Sequence, residues 1–420
     1  MTEAGLLDVL SQYWAIRALI AGILVGLTCG VLGAFIVLRN MALIGDALAH
    51  AILPGIVFAF LLVGYSTIGF FTGSVLAGVL AAVGITWIQQ NVKTKNDAAI
   101  GIVFTAMFSV GVMGISWVSQ NDGVHLDLKD FLFGNVLGVS NEDLVLTFVI
   151  TLYVLFSVVA FYRYLFVTTF QPVVAQTMGI SVKVIHYFLM LLLSFAVVAS
   201  LRSVGVILVV AMLITPAATA LLLSDRLPRV VAISALIGVL SAILGLILAI
   251  KFETTPGPAM AVTATGFYLL AVLFSPSRGL VFRKYKTAGL RRRIQFEDAL
   301  KQAYRLHEQG ELTLQNLNER VGFSESILKN QLKKLVARGL VQRSGGELSV
   351  TPAGQTTAQK LIRAHRLWET YLVNQIGLSP EQIHDDAEKY EHLLTEEIIA
   401  EVDRELGFPE VDPHGSPIPK

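Results

Sequence analysis

The chain opens as a succession of apolar runs and changes character near residue 280. Long apolar stretches lie at about 15–38, 44–64, 67–88, 98–118, 142–161, 184–201, 203–223, 230–250 and 258–274. Each approaches the roughly 20 apolar residues that an α-helix needs to cross a bilayer. The count is eight or nine, because 184–223 is nearly continuous. After a basic stretch, from residue 296 onward, the apolar positions recur at helical spacing among polar ones, the pattern of a soluble helix with one buried face.

Charge sharpens that boundary. Of the 63 Lys, Arg, Asp and Glu residues, 40 fall in 283–420 and 23 in the longer stretch before it. The last 138 residues carry 20 basic and 20 acidic side chains, so bulk charge gives no sign of a nucleic-acid partner. The predicted fold class is mostly α: a polytopic membrane domain of 8–9 spans, then a winged helix-turn-helix and a further helical domain. The expected boundaries are a membrane domain at 1–276, a basic linker at 277–293, the winged helix at 294–354 and the last helical domain at 355–420. Cys29 is the single cysteine, which excludes an intrachain disulfide. The start "MTEAGLLDVLSQYW" lacks the basic n-region of a cleavable signal peptide.

Loop charges predict orientation. Lys93 and Lys95, Arg163 and Lys183, Arg226 and Arg229, and the run "RKYKTAGLRRR" mark four cytoplasmic segments by the positive-inside rule. The soluble part is then cytoplasmic, and 119–130 and 251–258 lie outside. Gly22, Gly26 and Gly30 are spaced by four in the first span, which suits close helix packing within the chain or, less favoured, a dimer seam. No G-x-x-x-x-G-K-[ST] loop occurs, so ATP hydrolysis belongs to another subunit if it drives this protein, and the chain itself is not expected to be an enzyme.

The stretch "GDALAHAILPG" puts Asp46 and His50 four residues apart, on one helical face, inside an apolar run. An Asp at mid-span costs about 2.5–3.5 kcal/mol on the insertion scale, so such residues tend to face a cavity or partner. A carboxylate and an imidazole are two ligands for a divalent transition metal. The plainer reading is a helix-start Asp and an interfacial His, with Arg39 and Asn40 just upstream. Pro54, Gly45 and Gly55 mark a helix able to break. The charge map sets the segment at the cytoplasmic-side end of the second span or within a broken helix.

The block "VLRNMALIGDALAHAILPGI" resembles the signature segment of the manganese/zinc/iron-type ABC transporter permeases (the ABC-3 family). So do "DAAIGIVFTAMFSVGV", "FLFGNVLGVS" and "LRSVGVILVVAMLITPAATALLLS", in order over residues 12–276. That resemblance implies a homodimeric permease in the bacterial inner membrane, served by cytoplasmic ATPase subunits and an extracytoplasmic metal-binding lipoprotein. It implies that Asp46 and His50 line the metal path. The loop "FQPVVAQTMGI" resembles the family's coupling segment, but Gln171 and Val174 stand where an acidic pair is common.

In the soluble part, "LTLQNLNERVGFSESILKNQLKKLVARGLV" reads as helix, Gly-containing turn, helix, and "VQRSGGELSVTPAG" as a hairpin around Gly345-Gly346. Lys329, Lys333, Lys334 and Arg338 suit phosphates, but a domain tethered beneath a membrane searches DNA poorly, so DNA is the less expected partner. His365 and Glu369 are i and i+4. His384, Glu388, Glu391 and His392 share one face if their segment is helical. An acidic solvated face is the plain alternative. Residues 290–420 resemble the diphtheria toxin repressor family of metal-dependent regulators, through "HRLWETYLVNQIGLSPEQIHDDAEKYEHLLTEE" and "VDPHGSPIP". The resemblance implies one metal site on His365, Glu369 and His384 and a second on Asp298, Glu388, Glu391 and His392. Carboxylates at 298 and 388 lean towards manganese, with iron or zinc as alternatives. The expected function is the permease subunit of an importer for a divalent transition metal, with a cytoplasmic sensor that regulates it. The alternative is a membrane-tethered, metal-dependent transcription regulator.

Overall fold

The computed structural model describes residues 8–9, 11–64, 66–93, 95–121, 136–276, 278–344, 347–376 and 394–419. The chain divides into two compact units, Met1–Phe282 and Arg283–Lys420.

The first unit is a bundle of apolar helices. In order these are α1 (Tyr13–Leu38), α2 (Ile44–Ala51), α3 (Leu53–Val63), α4 (Thr67–Asn91), α5 (Asn96–Asn121), α6 (Asn141–Ala160), α7 (Tyr162–Phe170), α8 (Pro172–Thr177), α9 (Val182–Leu223), α10 (Leu227–Lys251) and α11 (Pro256–Phe274). Serines start three of them: the side chains of Ser66, Ser140 and Ser181 accept backbone N–H bonds from Gly69, Asp143 and Val184. Prolines open α10 and α11, where no intrahelical donor is lost. Among the described residues eight helical stretches are long and apolar enough to cross a membrane, α2 and α3 counting as one.

One of the eight crosses twice. At 1.5 Å per residue, 42 residues of α9 would run roughly 63 Å, about twice a hydrocarbon core. The helix breaks at Gly205, where φ is 80° and ψ 167°, a conformation open to glycine. Contacts identify the ends. Arg202, beside the break, pairs with Asp143 at the start of α6 across 3.2 Å. At the opposite end, His186 on the first half meets Thr86 near the end of α4 at 3.1 Å. After the second half, the Ser275 hydroxyl donates to the Leu222 carbonyl, and Arg278 pairs with Asp225. The described bundle therefore makes nine crossings, with α1 beginning at the Arg202 end and α11 finishing at the His186 end.

The α1 glycines face α10 within the same chain. Gly26 and Gly238 press backbone to backbone, and a Cβ on either would strike the other's carbonyl. One turn on, the Ser234 hydroxyl donates to the Gly30 carbonyl at 2.7 Å. The small-residue stripe is thus an intramolecular seam, which leaves none of it for a partner.

The second unit begins within α12 (Leu280–Glu308), whose first half takes in the basic stretch as helix. Then come α13 (Leu314–Val321), α14 (Glu325–Ala337), an antiparallel ribbon of β1 (Val341–Ser344) and β2 (Glu347–Val350), α15 (Pro352–Ile376) and α16 (Glu396–Glu405). Thr313 caps α13, and Gly322 ends it in the left-handed conformation, turning the chain into α14. The ribbon pairs Val341 with Val350 and Ser344 with Glu347. The expected turn at 345–346 lies outside the described residues. A core of Ala299, Leu300, Leu317, Leu328, Leu335 and Ile362 holds α12 to α15 together with the ribbon. Leu367, Val402 and Ile418 form a smaller core. The expected mostly helical class, with spans followed by a winged helix-turn-helix, is the observed one.

Candidate metal centres

Asp46 and His50 both lie on α2. The His50 Nδ1 is 3.0 Å from the Asp46 carbonyl oxygen and 3.5 Å from the Asp46 Oδ1. An imidazole that donates from Nδ1 carries its lone pair on Nε2, the form a metal ligand needs. Phe104 and Phe108, one turn apart on α5, hold the ring edge-on at centroid distances of 5.4 and 5.6 Å. These packed rings fix the imidazole against rotation.

The depth of this pair differs from the charge map. Phe104 and Phe108 stand roughly 12 and 18 Å along α5 from Asn96, so His50 sits beside the middle of that helix. The cause is the turn after α1. The Met41 N–H bonds back to the Ile36 carbonyl, and Asn40 adopts a positive φ of 56°, so α2 starts inside the level where α1 ends. The break between α2 and α3 is slight, since Ile52 keeps a right-handed helical conformation. Pro54 sits in the first turn of α3 and opens no unwound segment.

The other side chains of α2, including Ala47, Leu48, Ala49 and Ala51, are buried. Asp46 is 47% exposed and His50 18% exposed at the side chain. The ligand pair thus points away from its own core onto an open face of the bundle. Among the described residues no group of three or more His, Cys, Asp or Glu comes together. The pair offers two donors, and any others come from outside this set.

In the second unit, the His365 Nε2 lies 3.1 Å from the Glu369 Oε1 on α15. Both residues are almost fully buried, at 4% and 2% exposure. An imidazole and a carboxylate 3.1 Å apart on one helix are a donor pair that suits a divalent metal. Asp298 is on α12, 3.8 Å from the Lys301 Nζ. The two helices are tied by Tyr304, whose hydroxyl donates to Glu308 at 2.6 Å and accepts from Gln359 at 3.1 Å. The Glu308 acceptor raises the Tyr304 pKa above the usual phenol range. His384, Glu388, Glu391 and His392 lie outside the described residues.

Sequence reasoning missed the clamp beside His365. Arg363 pairs with Asp403 at 2.5 Å, and Arg366 lies 3.5 Å from Asp412. Arg363 and Arg366 also donate to the Pro419 and Pro417 carbonyls. Asp412 accepts from the His414 and Ser416 N–H groups at 2.9 and 2.8 Å, shaping the tail that docks there. An aspartate followed by proline and glycine was the available signal. In the first unit, α8 exposes Val173 and Val174, with Met178 just beyond it, and buries Ala175, so the coupling-like segment presents an apolar face.

Residues 11–275 match the ABC 3 transport family. The chain belongs to that family. Residues 351–420 match the iron-dependent repressor, metal binding and dimerisation domain. A manganese transport system membrane protein, MntC, from Halalkalibacterium halodurans is 48% identical over 279 residues, 66% of this chain and 93% of its own. The MntC of Bacillus subtilis is 34% identical over 363 residues, 85% of this chain and 83% of its own. That span exceeds the membrane unit, so the likeness continues into the soluble one. Among solved structures, PsaBC from Streptococcus pneumoniae in complex with Fab contains a chain 38% identical, with a TM-score of 0.59 over 66% of this chain and 97% of that one. This ABC 3 member is a multi-pass membrane protein of a transporter family, joined to a repressor-like, divalent-metal-binding module.

Proposed function

We propose that this chain is the permease subunit of an ABC importer for a divalent transition metal, manganese first and zinc or iron as alternatives. The observation that carries the reading is the Asp46–His50 pair on α2, with the His50 ring held by Phe104 and Phe108 beside the middle of α5 and the Asp46 carboxylate half exposed. The manganese transport names of relatives covering the same residues support the choice of cargo. A second copy facing this surface would supply further ligands, in keeping with a homodimer. The match of 11–275 to a transport family favours this reading over a tethered transcription regulator.

Lys93, Lys95, Arg163, Lys183, Arg226 and Arg229 fall towards one end of the nine-crossing bundle, which the positive-inside rule makes cytoplasmic. On that reading the soluble unit is cytoplasmic, a separate ATPase docks on the apolar face around Val173, Val174 and Met178, and a metal-delivery protein meets the opposite end. The division into a permease domain at 1–276, a basic connection at 277–293, a winged helix at 294–354 and a metal-binding dimerisation domain at 355–420 belongs to the same proposal. His365 and Glu369 with His384, and Asp298 with Glu388, Glu391 and His392, would hold metal there. Bound metal supplies a positive centre that draws these acidic and imidazole donors together. The module would then slow import when cytoplasmic metal is plentiful.

Manganese accumulation tests the reading. Cells producing this chain with its ATPase and delivery protein should accumulate manganese above cells lacking the chain. Equal accumulation would exclude a permease role. Replacing His384 and Glu391 together should leave uptake intact but insensitive to metal preloading. Unchanged sensitivity would remove the sensor role alone.

A further inference from the structure

The first half of α12 packs on none of the described residues. Residues 280–289 are exposed at every position, and a Cβ at Gly289 would meet nothing within 4 Å. Isolated helices of this length are marginal in water. The composition adds to the difficulty. Arg283, Lys284, Lys286, Arg291, Arg292 and Arg293 crowd this stretch, and no acidic residue occurs between Glu253 and Glu297. Like charges three and four apart destabilise a helix. Of the six, Arg293 finds an acidic partner, Glu297 at 2.8 Å.

The helix is nonetheless amphipathic. Helical spacing puts Phe282, Tyr285 and Gly289 on one face, with Arg283 and Lys286 along one flank and Lys284 and Arg291 along the other. Tyr285 is 82% exposed and Phe282 half exposed. Aromatic residues flanked by cations are the composition of a helix lying in a membrane interface. Position agrees, because Leu280 follows the end of the last span, Phe274, by six residues. We propose that this half-helix lies on the membrane surface as a binding site for anionic phospholipid headgroups, with Tyr285 and Phe282 at the acyl boundary and the flanking cations on the phosphates. Orientation by the positive-inside rule needs basic residues here but neither the exposed aromatic face nor lipid binding. The inference rests on the helix and its place after a span, and it stands whether or not the chain carries metal.

The test uses the full chain in lipid nanodiscs of phosphatidylcholine alone or mixed with phosphatidylglycerol. Hydrogen exchange of the amides in 280–293 is followed at low and high salt. Attraction of the cations to an anionic surface should slow exchange roughly tenfold or more with phosphatidylglycerol, and salt should reverse the slowing. In the variant K284Q/K286Q/R291Q the difference between lipids should shrink to near nothing. Equal exchange of the wild type in both lipids would overturn the proposal. Fast exchange in both would mean a helix bound to nothing, and slow exchange in both would mean ordering by protein. The wild-type salt series decides the matter even if the variant inserts poorly.

Discussion

His365 and Glu369 face each other in a nearly water-free setting, where removing one takes a 3.1 Å contact from the other. Taking away one member of a buried pair costs about 3–5 kcal/mol. His365→Ala should therefore lower the unfolding midpoint of the soluble unit sharply, as read by thermal unfolding of the purified chain without metal. The double change with Glu369→Ala should cost less than the two single losses added together, because the contact between them is lost in each single variant. Additive losses would show that the pair does not interact. Asp412 makes a contrasting case. It organises the tail through two backbone N–H bonds and Arg366, so Asp412→Ala should cost about 1–3 kcal/mol and speed hydrogen exchange at 411–418. That Asp46 lies beside His50 and His365 beside Glu369 was legible from spacing, since i and i+4 fix a shared face. The Arg363 and Arg366 clamp was not, because its partners lie some 40 to 56 residues away and only packing brings them together.

At the scale of elements, α9 and the α1–α10 seam carry the architecture. The apolar run over 184–223 left one span or two undecided, since hydropathy registers no direction. Three particulars settle it: the length of the helix, the positive φ of Gly205, and the Arg202–Asp143 pair that brings the break to the same end as the start of α6. Gly205→Val places a β-branched residue at a φ that L-residues avoid, at a cost of about 1–3 kcal/mol. Folded yield in detergent should fall, whereas Gly266→Ala, with open space around its Cβ, should be neutral. Equal yields would refute the reversal at Gly205. The glycine spacing in α1 was visible in sequence, but its partner was not. Gly238 and Ser234 identify it as α10. Gly26→Val should push those helices apart and lower thermostability by a few kcal/mol, without altering any association between chains.

At the scale of the molecule, the chain joins a nine-crossing permease-like bundle to a repressor-like module through one long helix that begins after the last span. The proposed metal ligands fall in both units: Asp46 and His50 on α2, and Asp298, His365 and Glu369 on α12 and α15, with His384, Glu388, Glu391 and His392 outside the described residues. Their pairing in a single polypeptide motivates regulation of import by the imported ion. The charge boundary near residue 283 was plain in the sequence and coincides with the division between compact units. The depth of Asp46 and His50 was not, because it depends on how the Arg39–Leu43 turn folds back towards α1. The central claim is that these two side chains carry the ion. The most direct measurement is manganese uptake into vesicles holding the chain with its ATPase, comparing wild type with D46N/H50Q at matched membrane abundance. Asp46 is half exposed, and glutamine at 50 keeps a polar side chain of similar length between Phe104 and Phe108, so at matched abundance the variant should lose at least nine-tenths of the uptake, ~1.4 kcal/mol of transport barrier or more. Uptake at the wild-type rate would contradict the account.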